Sequence, residues 1–190
     1  WCMDLLGGGT PTEMGNRQSS CFPPQQYKVL KEIGSGAFGN VVMAVDKETQ
    51  RLVAIKEFFR RDAGLTEISN LELVHSFGVP NVVNSPAWWC AEDSVCMVMD
   101  LLHGDLYETV KKDGALSASK IVSITNQVLA ALEVLHNNGY AHGDLKPENI
   151  VFGDVMKTNV KIIDFGLMRK TPVKKRSYLQ SRFYRAPEVV

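Results

Sequence analysis

YAHGDLKPENIVFGDVMKTNVKIIDFG, residues 140–166, is the stretch around which the other segments fall into place. It sets two carboxylates, Asp144 and Asp164, a lysine, Lys146, and an amide, Asn149, on two short loops separated by strand-like apolar residues. Hard oxygen ligands beside a cation are the materials for holding a divalent metal and phosphate. Each side chain alone has a plainer reading, a surface aspartate or a paired lysine. Their order and spacing together carry the inference.

Asp144, Lys146 and Asn149 fit the protein-kinase catalytic loop, and Asp164-Phe165-Gly166 fits the metal-binding turn that follows it, so the chain resembles a eukaryotic protein kinase. Upstream, Ile33 to Val41 reads IGSGAFGNV, a GxGxxGxV pattern. A dinucleotide-binding fold also uses GxGxxG, but there a helix must begin after the last glycine. Here Val41 to Val45 reads as a strand, followed by a polar turn at Asp46 to Gln50 and a second strand, Leu52 to Phe58. Strand, glycine loop, strand is the kinase arrangement, in which the loop backbone can close over phosphates.

Val53-Ala54-Ile55-Lys56 matches the lysine-bearing kinase strand, and a lysine within an apolar strand is costly unless its ammonium is paired. A helix is expected over roughly Asp62 to Phe77, with Leu65, Ile68 and Leu71 on one face and a stop at Gly78. By resemblance to the kinase regulatory helix, Glu67 is the ion-pair partner of Lys56, with Glu72 as the rival. Five positions apart, the two acids point to different faces. Asn81 to Met99 reads as two strands around the polar turn at Ala91 to Ser94, with Trp88 and Trp89 as packing residues. The run Cys96 to Leu102 then resembles the last small-lobe strand entering the hinge. Ser117 to Asn137 is the clearest helix, its apolar stripe made by Ile121, Ile124, Val128, Leu132 and Leu135.

The resemblance implies an α+β, protein-kinase-like two-lobe fold. Residues 1–26 form a flexible lead-in, 27–102 a small antiparallel β lobe with one regulatory helix and the hinge, and 103–190 a partial, mainly helical large lobe. It also implies ATP and Mg²⁺ as cofactors and a protein substrate. Asp144 would accept the substrate hydroxyl proton, Lys146 would steady the γ-phosphate, and Lys56, tied by Glu67, would grip the α- and β-phosphates. Asn149 and Asp164 would hold the metal. Ile33, Gly34, Gly36, Gly39, Val41, Ala54, Met99, Asp100, Leu102 and Val151 would surround the nucleotide, with Met99 as gatekeeper. Asp105 would accept from the ribose hydroxyls or cap a helix. His142 and Phe165 look like packing members beneath the site.

Asp-Leu-Lys-Pro-Glu-Asn at 144–149 is similar to serine/threonine kinases. The segment from Ser177 to Glu188 resembles the CMGC group, especially homeodomain-interacting and dual-specificity tyrosine-regulated kinases. In those relatives a tyrosine two positions before Gln-Ser-Arg is autophosphorylated, which here is Tyr178, with Arg182 and Arg185 as nearby cations. Two departures stand out. Gly143 replaces the usual arginine of His-Arg-Asp, removing a partner for a phosphorylated activation segment and loosening the loop backbone before the base. The sequence also ends two residues after Glu188, so the large lobe is expected to be incomplete and the 117–137 stripe to leave an apolar patch uncovered. An inactive, truncated ATP-binding regulatory or decoy module is the alternative reading.

Composition sets the outer bounds. A chain of 190 residues with 45% hydrophobic content can bury a real core. Lysine plus arginine and aspartate plus glutamate both number 21, which gives no case for nucleic acid or an anionic membrane as partner. Cys2, Cys21, Cys90 and Cys96 form no CxxC pair, which predicts free thiols in a reducing compartment. No run approaching the ~20 apolar residues of a membrane span and no signal-type start are seen. An intracellular location, cytoplasmic or nuclear, is therefore expected.

Overall fold

The computed structural model describes residues 24–36, 39–90, 94–172 and 180–189. The lead-in up to residue 23, Ala37 and Phe38 of the glycine loop, the turn at 91–93 and Tyr178 lie outside the described residues.

Five strands build the first half: β1 (Tyr27–Gly36), β2 (Gly39–Asp46), β3 (Leu52–Phe58), β4 (Ala87–Cys90) and β5 (Val95–Asp100). They form one antiparallel sheet in the order β1-β2-β3-β5-β4. Hairpins join β1 to β2 and β2 to β3, which places the lysine strand at the centre. The period of two along β3 and β5 gives each face its own core. Ile55, Cys96 and Val98 pack with Tyr27 and Ala44 on one side. Phe58, Val95 and Met97 face the other, where helix α1 (Arg61–Ser76) lies.

Helix α1 buries Gly64, Glu67, Ile68, Leu71 and Val74, a stripe at helical spacing. It ends where expected, with Gly78 at a φ of 67° after the Phe77 cap. Trp89 stacks on Tyr27, ring centroids 5.8 Å apart, and Trp88 donates its indole N–H to Glu72 at 3.1 Å. The rival acid is thereby turned away from Lys56.

The second half is helical with short hairpins. Helix α2 (Leu106–Asp113) starts at Asp105, whose carboxylate accepts the Glu108 amide at 2.8 Å. Helix α3 (Ala118–Asn137) is capped by Ser117. Strand β6 (Tyr140–Ala141) pairs with β9 (Arg169–Lys170), and β7 (Ile150–Phe152) pairs with β8 (Val160–Ile162). One continuous cluster runs from Phe58 and Met97 through Ile68 and Leu71 to Val128, Leu135, Phe152 and Phe165. This shared core locks the two halves together.

Three expectations need correcting. The buried line of α3 is Ile124, Val128, Ala131 and Leu135, whereas Ile121 is 51% exposed, because it is Lys120 that the first turn directs onto the β7–β8 hairpin, over the Phe152 ring and against the Lys157 carbonyl. Val122 and Leu129 are exposed with it, so the uncovered apolar face is present. By length and composition α3 could also cross a membrane, contrary to the first reading, although its buried line belongs to this core. The expectation of free thiols fails at Cys96, which is disulfide-bonded, a pairing that the absence of any CxxC spacing does not reveal.

Candidate active site

Lys56 sits opposite Val41 on one side and Met97 on the other, in mid-sheet. Its ammonium reaches both oxygens of Glu67 at 2.8 Å and lies 4.5 Å from the centroid of the Phe58 ring. Burial pushes the Glu67 carboxyl above its ordinary value against the pull of the Lys56 ammonium, and the charge of Asp164 adds to the rise. The Glu67 and Asp164 carboxylates are therefore close enough to feel each other's charge. A side chain built at Gly166 would touch both of them, at 3.4 Å from Asp164 Oδ1 and 3.6 Å from Glu67 Oε2.

The loop after β6 is held from beneath by His142. This ring is buried, meets Phe165 edge-on with centroids 4.8 Å apart, and lies 3.0 Å from the Ile163 carbonyl through Nε2. The Asp144 amide donates to its Nδ1 at 3.2 Å, which requires that nitrogen to be unprotonated. Burial lowers the imidazole below its usual value, so the ring is neutral at pH 7. Asn149 closes the loop by donating to the Asp144 carbonyl at 2.9 Å, and the Ile163 amide donates to the Asn149 carbonyl at 3.0 Å. The strand leading to Asp164 is tied to the loop carrying Asp144 in this way.

Asp144 is a buried carboxylate with every oxygen engaged. Oδ2 receives the Lys146 ammonium at 2.6 Å, while Oδ1 receives the Ser181 amide and hydroxyl, both at 2.7 Å. Lys146 also donates to the Ser181 hydroxyl at 2.9 Å. Burial would raise the Asp144 carboxyl, but the bonds from Lys146 and Ser181 outweigh it and hold it below the ordinary value. Ser181 is the functional residue that the sequence did not single out. Its only local signal is its place between Tyr178 and the Ala186-Pro187-Glu188 motif.

Gly143 stands at a φ of 85°, and any Cβ there would run into the Leu167 carbonyl. Its own carbonyl accepts the Gln180 amide at 3.0 Å. The expected loosening of the loop is therefore overturned: glycine permits a close approach that pins the backbone. Gly39 does the same for the sheet, since a side chain there would collide with the Glu57 carbonyl.

The residues expected around a nucleotide come from both halves. Ala54 pairs with Met99, Gly34 with Val41, and the buried Val151 bridges to Asp105. After Leu102 the chain is bound to β7 by His103 N–H to Phe152 O at 2.8 Å and Phe152 N–H to Gly104 O at 3.0 Å. Ile33, by contrast, is 45% exposed, at the edge of this group. The Asp100 carboxylate accepts the Asn84 amide at 3.3 Å, and the Asp100 N–H donates to the Asn84 carbonyl at 3.2 Å. Asp105 takes the capping role of its two alternatives.

Among the described residues no three His, Cys, Asp or Glu side chains cluster as a metal site. Asp164, in a turn with a φ of 64°, and Asn149 offer one carboxylate and one amide oxygen. Such a pair suits Mg²⁺, which is held by few protein oxygens and completed by substrate phosphates.

A model of the protein kinase domain matches residues 27–190. The chain is similar to human dual specificity tyrosine-phosphorylation-regulated kinase 3, 36% identical over 174 residues, covering 87% of this chain and 30% of that protein. It is 35% identical over 172 residues to cyclin-dependent kinase F-3 of Oryza sativa subsp. japonica, covering 87% of this chain and 39% of the relative. A Dictyostelium discoideum protein named "Probable serine/threonine-protein kinase" is 34% identical over 172 residues, covering 87% of this chain and 33% of that protein. The chain thus spans about a third of the length of the curated relatives it matches.

Proposed function

Because the chain belongs to the protein kinase domain family, we propose that it is a protein serine/threonine kinase, moving the γ-phosphoryl group of ATP to serine or threonine hydroxyls of proteins. One observation carries this reading. Asp144 accepts a serine hydroxyl at 2.7 Å, and the lysine on its other oxygen also reaches that hydroxyl, at 2.9 Å. The pair of side chains is thus already arranged to hold an aliphatic alcohol by its oxygen and its proton.

Each chemical demand has a residue. The acceptor oxygen attacks the γ-phosphorus, its proton passes to the ionised Asp144, and ADP leaves. The bonds from Lys146 and Ser181 hold the Asp144 carboxyl below its ordinary value, which keeps it in the accepting form at neutral pH. Lys146, paired with Asp144, would meet the negative charge that builds on the transferring group, and Lys56, oriented by Glu67, would grip the α- and β-phosphates. Asn149 and Asp164 would hold Mg²⁺, which when bound neutralises phosphate charge. Positioning and electrostatics supply the catalysis, with no covalent protein intermediate.

Autophosphorylation of Tyr178 is the finer part of the proposal. Its support is the position two residues before Gln180-Ser181-Arg182 and the words "tyrosine-phosphorylation-regulated" in the names of similar kinases. The direct test is transfer of labelled phosphate from ATP to a basic test protein with Mg²⁺. An Asp144→Asn chain should be slower by about 100-fold or more. Equal transfer by both chains would overturn the assignment.

A further inference from the structure

One contact near the site has no part in the mechanism above. Asn70, within α1, donates its side-chain amide to the backbone carbonyl of Phe165 at 2.8 Å, bridging 95 positions of sequence. Asparagine inside a helix costs stability relative to alanine, so the position is not explained by helix formation. Nor does the carbonyl need the amide for satisfaction, because it already accepts the Met168 N–H at 3.1 Å.

Asn70 lies three residues after Glu67, hence on the same side of the helix. One face of α1 therefore does two things. It presents Glu67 to Lys56 at 2.8 Å and grips the turn that carries Asp164. Without that grip, the turn and the helix are driven apart, because the Glu67 and Asp164 carboxylates approach each other across Gly166.

We propose that Asn70 is a positioning residue that latches α1 to the Asp164-Phe165-Gly166 turn, so that the Lys56–Glu67 pair and the metal-holding Asp164 are set in place as one body. The inference rests on the kinase reading for its consequence. Its geometry can be tested independently. Opening the latch lets the turn move away from α1 while Lys56 keeps Glu67, so metal-dependent nucleotide binding suffers and metal-independent binding does not.

The experiment uses the whole chain with Asn70→Leu, which has similar size and no donor, Asn70→Asp, which turns a donor into a repelling acceptor, and Asn70→Gln, which restores a donor. Two quantities are read: hydrogen exchange at the Met168 amide, and the ratio of ADP dissociation constants without and with Mg²⁺. Loss of one net hydrogen bond predicts about fivefold faster Met168 exchange and a ratio reduced by about fivefold in the Leu and Asp variants. The metal-free constant should be unchanged, and Gln should recover part of both effects. Unchanged exchange, or equal weakening of both constants as in a merely destabilised protein, overturns the latch. Wild-type ADP binding with no Mg²⁺ dependence overturns the kinase reading instead, and Met168 exchange then decides the latch alone.

Discussion

Consider removal of the charge on Glu67. In Glu67→Gln the Lys56 ammonium loses a carboxylate touching it at 2.8 Å through both oxygens. Breaking a buried ion pair from one side typically costs about 3–5 kcal/mol, because the remaining charge stays desolvated. Three features lower that figure here. The Lys56 side chain keeps 18% exposure, its ammonium stays on the Phe58 ring, and Glu67 no longer repels Asp164. Cation–π contact is itself worth about 1 kcal/mol at a partly exposed site. A loss of about 2–3 kcal/mol is therefore expected for Glu67→Gln. Lys56→Met should cost a similar amount, since it strands the more deeply buried carboxylate. The double variant strands neither and should lose less than the sum, with a coupling of about 2 kcal/mol. Urea unfolding of the four chains at pH 7, followed by fluorescence of Trp88 and Trp89 in β4, measures each value. Additivity within about 0.5 kcal/mol would refute the reasoning that the pair, and not two independent packing roles, holds α1 to the sheet.

Three further outcomes follow from the site. Ser181→Ala removes a hydroxyl bonded to both Asp144 and Lys146, and transfer should fall by about tenfold with Ser181→Thr restoring it, as the loss of a hydrogen bond to a charged group predicts. Gly143→Ala should cost at least about 1–2 kcal/mol from its positive φ alone, with the Leu167 carbonyl adding to it, measurable as a lower urea midpoint. For pH, His142 has a lowered value in the folded chain, so below about 6.5 the unfolded chain binds a proton that the folded one refuses, and stability falls with pH in that window. Asp144, lowered as well, contributes stability that is complete above its ordinary carboxylate value and is lost only in more acid solution. A His142→Phe variant should therefore flatten the urea-midpoint profile between pH 7.5 and 5, whereas the wild-type midpoint drops.

Much of this protein was legible in its residues because its chemistry is written in short, ordered motifs. Alternation along Leu52–Phe58 and the run after Gly39 specify strands, and the 3.6-residue spacing of α1 and α3 specifies helices, since each is a statement about local backbone geometry. Asp144, Lys146, Asn149 and Asp164 were visible for the same reason, all lying within 21 positions of one another. What local pattern could not supply is any relation between segments distant along the chain. Glu67 and Glu72 are equally acidic and equally helical, and only the packed orientation of α1 sends one to Lys56 and the other to Trp88. Ser181 is an ordinary serine until folding brings it 37 positions back onto Asp144, and Asn70 is an ordinary polar residue until α1 meets Phe165. Gly143 reads as a flexible joint until the Leu167 carbonyl fills the space beside it. In each case the deciding quantity is a distance of a few ångströms between elements, which a shared core of both halves sets and no neighbouring residue encodes.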